Sequence, residues 1–257
     1  TKRSFKKWKK ISRFSKIVFA CFTQALAQNN ETKKYLNKLG VKKVKLLGNL
    51  KFAETKIKTK KVLDKNLKEF FKSKKIWCAS STHENEEIIS AIAHKNLKKK
   101  FKNLVTIIIP RHINRVETII KEIENLGLIT HLHSSKNIIK KRTEIYIVDT
   151  YGDTEKFFNI CKTVFLGGSL IKHGGQNPLE PARLGCKIIH GPNIDNFSEI
   201  YSLLDKNKIS IKVNNLNQLV KEVGIILKKN ISSEKLIYKL KKLGNIILYS
   251  TLLEIKK

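Results

Sequence analysis

The run Phe165-Leu-Gly-Gly-Ser-Leu-Ile-Lys-His-Gly-Gly-Gln-Asn-Pro-Leu-Glu-Pro-Ala-Arg-Leu-Gly185 concentrates residue types that suit anion binding. The pairs Gly167-Gly168 and Gly174-Gly175 let backbone approach a ligand without a Cβ in the way. Asn177 suits an N-cap, Pro178 the first helical position, and Glu180 a first turn where negative charge is favoured, with Gly185 as the stop. A glycine loop ahead of a helix start offers free N–H groups and a positive dipole end to a phosphate. Glu180 is then placed to accept hydrogen bonds from sugar hydroxyls. A plain strand-to-helix turn needs some of the same glycines, so this spacing alone does not name the ligand.

Three further stretches carry polar residues beyond what connection requires. In Ser80-Ser-Thr-His-Glu-Asn-Glu-Glu87, Ser81 or Thr82 can cap the helix that follows, which leaves His83 as a ligand or leaving-group contact. In Pro110-Arg111-His112 the planar guanidinium matches a phosphate or a carboxylate. In Asp149-Thr-Tyr-Gly-Asp153, Gly152 offers backbone contacts, Tyr151 a ring to cover a base, and Asp153 a helix cap. No phosphate-binding Gly-x-x-x-x-Gly-Lys-Ser/Thr loop and no Gly-x-Gly-x-x-Gly fingerprint occurs, which argues against ATPase and dinucleotide-oxidoreductase chemistry. His131 and His133 share one strand face, yet no third ligand stands near them, so no metal site is expected. The cysteines at 21, 78, 161 and 186 form no close pair and read as reduced, packed thiols.

The elements that must position these loops alternate. Apolar runs at 75–79, 104–109, 127–131, 145–148, 163–166, 187–189 and 209–213 read as strands. Helical patterns at 86–97, 114–126, 155–161, 196–204 and 216–227 separate them, and a long helix at 233–254 closes the chain. Such alternation predicts an α/β fold with a doubly wound parallel sheet and helices on both faces, with ligands outside the carboxyl ends of the strands. Ahead of it, residues 1–13 form a basic helix with Phe5, Trp8 and Ile11 on one face, expected to pack rather than to lie on a membrane. Residues 17–28 read as helix then strand, 30–39 as a capped helix stopped by Gly40, and 44–47 as a strand. This gives an organisation of 1–49, a lysine-rich linker at 50–61, and a main domain at 62–257.

The 257 residues carry 53 basic and 21 acidic side chains, a formal net charge of +32. A field of that sign attracts nucleic acid, anionic lipid or phosphorylated substrates. The joint excess of lysine, isoleucine and asparagine is also what an AT-rich coding sequence produces. No apolar run reaches the ~18 residues of a membrane span. The chain starts at Thr1 and has no methionine, so it is expected to be part of a longer protein.

Taken together, Gly48-Asn-Leu-Lys-Phe52, Ala79-Ser-Ser-Thr-His-Glu-Asn-Glu-Glu87, Ile109-Pro-Arg-His112, Asp149-Thr-Tyr-Gly152, the 165–185 run, Gly191-Pro192 and Asn196-Phe197 resemble the 3-deoxy-D-manno-octulosonic acid (Kdo) transferases. The resemblance implies a GT-B glycosyltransferase that moves Kdo from CMP-Kdo to the lipid A precursor of lipopolysaccharide. It implies action at the cytoplasmic face of the bacterial inner membrane, as a peripheral protein and without a metal or other cofactor. On that basis 1–49 is the end of the N-terminal acceptor domain, and 62–257 the donor-binding domain, with the last helix returning towards the first. CMP contacts then fall on Pro110, Arg111, Tyr151, Gly152, Asp153, Asn177, Pro178, Leu179 and Glu180. Phosphate or Kdo contacts fall on Ser81, His83, His112, Gly167, Gly168, Gly174, Gly175 and Gln176. Glutamine at 176 departs from the family's histidine. The family's catalytic glutamate lies in the N-terminal domain, so the isolated chain is expected to bind the donor and transfer little, unless a separate N-terminal chain partners it. Alternative readings are an inactive remnant of such a transferase and a basic nucleic-acid-binding protein. A nucleotide-sugar epimerase would need an acid and a base of its own within the chain.

Overall fold

The computed structural model describes residues 2–53, 62–229 and 232–256. Most of the expected linker, 54–61, lies outside them. The chain divides into two compact units, Thr1–Lys56 with Lys239–Lys257, and Ile57–Tyr238.

In the smaller unit, helices α1 (Lys2–Lys10) and α2 (Ser12–Ala20) precede strand β1 (Ala25–Ala27), helix α3 (Asn30–Leu39) and strand β2 (Val44–Leu46). The Asn29 side chain accepts the Thr32 N–H at the start of α3, and Gly40 at φ 107° ends it. The two strands pair in parallel. The aromatic stripe of α1 is used inside this unit: Phe5 stacks on Tyr35 at 4.2 Å and Trp8 meets the edge of Phe19 at 5.2 Å. Ile11, the third member of the stripe, stays exposed. The last helix of the chain, α11 (Ser233–Ile255), belongs to this unit from Lys239 onward. There Gly244 lies so close to the Phe52 carbonyl that no side chain would fit, and Lys45 pairs with Glu254 at 2.5 Å.

The larger unit holds α4 (Lys65–Lys72), β3 (Lys75–Thr82), α5 (Glu86–Lys98), β4 (Leu104–Pro110), α6 (Val116–Asn125), β5 (Thr130–Leu132) and β6 (Ile145–Ile147). It continues with α7 (Thr154–Phe158), β7 (Thr163–Leu166), α8 (Leu179–Arg183), β8 (Lys187–His190), α9 (Ser198–Lys206), β9 (Ser210–Lys212) and α10 (Leu216–Lys228). The seven strands form one sheet in the order β5-β6-β4-β3-β7-β8-β9, each neighbouring pair parallel. This is the doubly wound α/β arrangement.

Both faces of the sheet are apolar, which is why its strands read as continuous hydrophobic runs. In register across the sheet, Ala79 pairs with Ile108 and Phe165, and Phe165 with Ile189. That face packs with Ala93 and Leu97 of α5, Ile119 and Ile123 of α6, and Leu219 and Val223 of α10. The alternate residues face the other way. There Tyr146 meets Phe71 of α4 at 5.3 Å and Phe157 of α7 at 5.7 Å between ring centroids.

Helix α4 and strand β5 differ from the sequence reading. Helix α4 was not anticipated, although Asp64 accepts the Leu67 N–H at 2.9 Å and Leu67, Phe70 and Phe71 have helical spacing. Strand β5 starts at Thr130 rather than Gly127. Gly127, at φ 74°, donates its N–H to Glu124 and finishes the turn that ends α6.

Candidate functional site

Because all seven strands are parallel, their carboxyl ends share one edge. The strand order sets the loops side by side along that edge: 149–153 after β6, 110–112 after β4, 80–87 after β3, and 167–178 after β7. From β3 the chain winds outward through β4, then returns to place β7 on the other side of β3. The crevice where winding changes direction is where doubly wound sheets bind ligands. Here it is flanked by the β3 loop and the glycine run.

The glycine run is packed tightly against β3. Gly167 donates its N–H to the Ser80 carbonyl at 2.9 Å, and a Cβ on Gly167 would collide with the Ser81 carbonyl and Thr82 Cα. Ser81 itself sits at φ 54°, where the register with β4 shifts. Gly168, Gly174 and Gly175 all adopt positive φ, at 64°, 96° and 75°, which a glycine tolerates and other residues resist. The Gly175 N–H closes the loop on the Gly168 carbonyl at 2.7 Å. The segment 191–196 buttresses it from outside. The Ser169 hydroxyl bridges the Leu166 carbonyl and the Gly191 N–H, and Asn196 N–H reaches the Gly174 carbonyl.

Three consecutive amides of this loop are already satisfied by an anion of the protein. Glu86, fully buried at the start of α5, accepts N–H groups of Gly168 at 2.6 Å, Ser169 at 3.1 Å and Leu170 at 3.1 Å. It also accepts the N–H of His83 at 3.1 Å. The amide of Gly168, expected from sequence to face a phosphate, thus faces this carboxylate. The expected helix start is also altered. Helix α8 is only five residues long and begins at Leu179, one residue after the expected Pro178, with Pro178 rather than Asn177 at the N-cap position and Gly185 at φ 79° just past its end. The Asn177 side chain lies outside the helix and accepts the Leu179 N–H at 3.1 Å. So short a helix sums few peptide dipoles, and its pull on an anion is correspondingly small.

Side chains supply what the amides do not. The His83 ring is 7% exposed and lies 3.9 Å, centroid to centroid, from the His173 ring and 5.7 Å from that of His112. Gln176 Nε2 meets His83 Nε2 at 3.1 Å, and the Gln176 carbonyl is held by the Tyr201 hydroxyl at 2.9 Å. Burial, and then the nearby His173, His112, Arg111 and Arg115, push the His83 imidazole down to about 4. Arg115 is committed to buried Glu87 at 3.1 Å. Arg111, tied by its N–H to the Thr82 carbonyl, keeps an exposed side chain. The structure therefore brings His83, His112, Gly168 and Gln176 together, and adds His173, which the sequence reading had not selected.

The loop after β6 is arranged differently. Tyr151 is 72% exposed. Asp153 bonds Lys156 at 2.7 Å and the Thr150 hydroxyl at 2.6 Å, and lies 3.6 Å from His133. Burial raises its carboxyl, but the Lys156 and Thr150 hydrogen bonds outweigh that and hold it below the usual range. Asp153 stands at the N-cap position of α7, as the sequence reading had it, although its side chain makes no capping bond there. Pro110 is buried at the end of β4, while Asn177 and Glu180 are exposed and Pro178 and Leu179 buried. His133 Nδ1 bonds the Tyr146 hydroxyl at 2.8 Å, so that imidazole serves packing. Among the described residues no three His, Cys, Asp or Glu side chains are grouped to hold a metal ion.

Comparison with known proteins bears on what this edge binds. A family model described as 3-deoxy-D-manno-octulosonic-acid transferase (kdotransferase) matches residues 1–54. A 3-deoxy-D-manno-octulosonic acid transferase of Rickettsia bellii is 33% identical over 233 residues, 90% of this chain and 55% of that protein. The namesake of Haemophilus influenzae is 29% identical over 238 residues, 91% of this chain and 56% of that protein. The chain thus spans about half the length of the curated relatives it matches. The crystal structure of the C-terminal CMP-Kdo binding domain of WaaA from Acinetobacter baumannii superposes with a TM-score of 0.64 at 27% identity. It covers 69% of this chain and 93% of that one. An alpha,alpha-trehalose 6-phosphate synthase from Burkholderia multivorans, 9% identical with a TM-score of 0.54, shares the fold alone.

Proposed function

We infer that this chain, a homologue of the 3-deoxy-D-manno-octulosonic acid transferases, carries the donor-binding half of a GT-B glycosyltransferase that takes Kdo from CMP-Kdo. The observation that carries the reading is the row of four polar loops along the carboxyl edge of one parallel sheet, with imidazole and guanidinium groups at its crevice. In this reading Pro110 and Arg111 line the nucleotide, the Tyr151 ring covers the cytosine, and Gly152 presents backbone. Asp153, engaged with Lys156, shapes that loop. Asn177 to Glu180 lie along the ribose and phosphate, with Glu180 accepting the ribose hydroxyls. As CMP departs, its growing negative charge faces Arg111 and the imidazoles, and no metal is assigned a role.

The acceptor in this proposal is the lipid A precursor, at the cytoplasmic face of the inner membrane, where a chain with net charge +32 is drawn to anionic lipid. No helix among the described residues is long and apolar enough to cross a membrane. No carboxylate of this chain is assigned as the base that deprotonates the acceptor. That group would be supplied by an N-terminal domain, and without it proximity and acid–base catalysis are lost.

Calorimetry with CMP tests the donor site. The chain should bind CMP, and the double substitution Asn177→Ala with Glu180→Ala should weaken binding about tenfold or more, the loss of one or two polar contacts. Equal affinity in the variant would remove the ribose and phosphate assignment. The same preparation should show negligible Kdo transfer, and turnover at the rate of a whole transferase would overturn the missing-base reading. Nucleic-acid binding, the reading that net charge alone favours, requires affinity that falls steeply with salt and is not displaced by CMP.

A further inference from the structure

We propose that the amino-terminal edge of the seven-stranded sheet, opposite the polar loops, is a docking surface for the phosphate backbone of double-stranded nucleic acid. This goes beyond the donor reading, since the surface and its partner are separate from the nucleotide and the sugar acid.

The basic residues are scattered in sequence, but the larger unit sorts them in space. The four polar loops of the carboxyl edge hold two basic residues, Arg111 and Lys172, against five acidic ones, Glu84, Glu86, Glu87, Asp149 and Asp153. The net charge of +32 is therefore not carried where the donor is read to bind. At the other edge, the chain leading into β3, β4 and β6 covers 72–75, 98–103 and 140–144, with ten basic residues against one acid, Glu144. These strands are neighbours in the sheet, so the three turns lie side by side. Hydrogen bonds join them. Lys75 donates its N–H to the Asn103 carbonyl at 3.2 Å, the Asn103 amide donates to the Ser73 carbonyl at 2.7 Å, and Lys74 Nζ to the Lys141 carbonyl at 3.1 Å.

Little within the protein neutralises these cations. Glu144 is taken by Lys98. Lys72, Lys99, Lys100, Lys102, Lys141 and Arg142 are exposed, with no carboxylate among the described residues within ion-pair distance. Burial, and then the charges of Lys102 and Lys74, hold the Lys98 ammonium below its usual value, as crowded cations do. Two plainer accounts cover only part of this. The negative ends of α4 and α5 attract Lys72 and Lys98 in their last turns, but Lys100, Lys102, Lys141 and Arg142 lie beyond those helices. A coding bias towards lysine would load both edges of the sheet alike, and the polar loops are not loaded. Like charges gathered against their own repulsion suit a polyanion.

The chemistry of the surface selects which one. Ammonium groups meet phosphates as point charges and read no base. No large apolar or aromatic side chain of the three turns is exposed, so neither stacking on unpaired bases nor insertion into a bilayer is provided for. The closely spaced phosphates of a duplex fit such a surface. Strand β3 has eight residues, which sets the two edges about 25 Å apart. With the donor edge turned to an acceptor held in a membrane, as proposed above, the amino edge faces away from that bilayer.

The test follows a fluorescein-labelled DNA duplex of arbitrary sequence by anisotropy, with the 257-residue chain at several salt concentrations. Two variants each remove four charges at exposed positions. One carries Lys99→Gln, Lys100→Gln, Lys102→Gln and Lys141→Gln on the amino edge, the other Lys34→Gln, Lys38→Gln, Lys42→Gln and Lys43→Gln in the smaller unit. Log affinity against log salt should fall with a slope of about −3 or steeper for the unaltered chain. The amino-edge variant should flatten that slope by about three and bind about tenfold or more weakly at ~100 mM salt, while the control loses less than about threefold. CMP should not displace the duplex, and the amino-edge variant should bind CMP as before. No duplex binding, equal losses in the two variants, or displacement by CMP would each overturn the inference. So would an amino-edge variant that keeps the duplex but loses phosphatidylglycerol vesicles, since the surface would then belong to a bilayer. Failure of the chain to bind CMP would remove the donor reading and leave the duplex comparison to decide this one.

Discussion

Glu86→Gln is expected to loosen the glycine run while leaving the sheet intact. In the wild type Oε2 accepts from Gly168 and His83, and Oε1 from Ser169 and Leu170, at 2.6 to 3.1 Å. Glutamine keeps one oxygen and turns the other position into an NH2 that faces two donors. Two charge-assisted bonds are lost, each worth about 1.5–3 kcal/mol, and two buried amides are left without acceptors. Side-chain volume hardly changes, so no cavity term is added, and the loss sums to about 3–6 kcal/mol, in the range of other broken buried charge networks. A domain of ordinary stability survives that. Urea unfolding of the two proteins gives the difference, and amide hydrogen exchange locates it: residues 168–170 should lose protection while β3 and β4 keep theirs. A loss below about 0.5 kcal/mol with unchanged exchange at these amides would refute the claim that the carboxylate anchors them.

Gly167→Ala should be damaging as well, because its Cβ would strike the Ser81 carbonyl and Thr82 Cα, backbone atoms that cannot swing aside. A drop of about 3 kcal/mol or more, or failure to fold, is expected in thermal unfolding, and a mild effect would mean that β7 can shift away from β3. His94 predicts an acid sensitivity. It is fully buried, bonds Thr106 through Nδ1 at 2.9 Å, and is pushed to about 4 by burial and then by Lys98. A histidine with a depressed folded value is protonated first in the unfolded chain, so stability present above pH 6.5 is lost as pH falls towards about 4. The loss approaches about 3 kcal/mol at the lower end of that window. Urea unfolding at several pH values should show it, and His94→Gln should reduce the slope between those limits, His83, depressed to about the same value, carrying the remainder.

What could be read from the chain by itself was the local part. Runs such as Leu104 to Ile109 and Thr163 to Leu166 declared strands through unbroken apolar character, and Asn29 with Gly40 bounded a helix through side-chain capping and positive φ. Those signals lie within a few residues of what they specify. The four polar loops were legible for the same reason, since each directly follows a strand. Helix α4 was missed although its cap and spacing were present, because a lysine-rich background hides short amphipathic patterns.

The tertiary structure decided which of those loops meet, and what each residue does once they do. Glu86 reads in sequence as a first-turn acid of α5, yet its carboxylate holds Gly168, which lies 82 residues further along. That bond exists only because the sheet sets β7 beside β3, a pairing that no local pattern in either strand encodes. The same adjacency lays His173 on His83 and gives three amides of the glycine run to the protein's own carboxylate. Backbone conformation is set by neighbours in the chain, whereas the partners of a buried charge are set by which strands come to lie side by side.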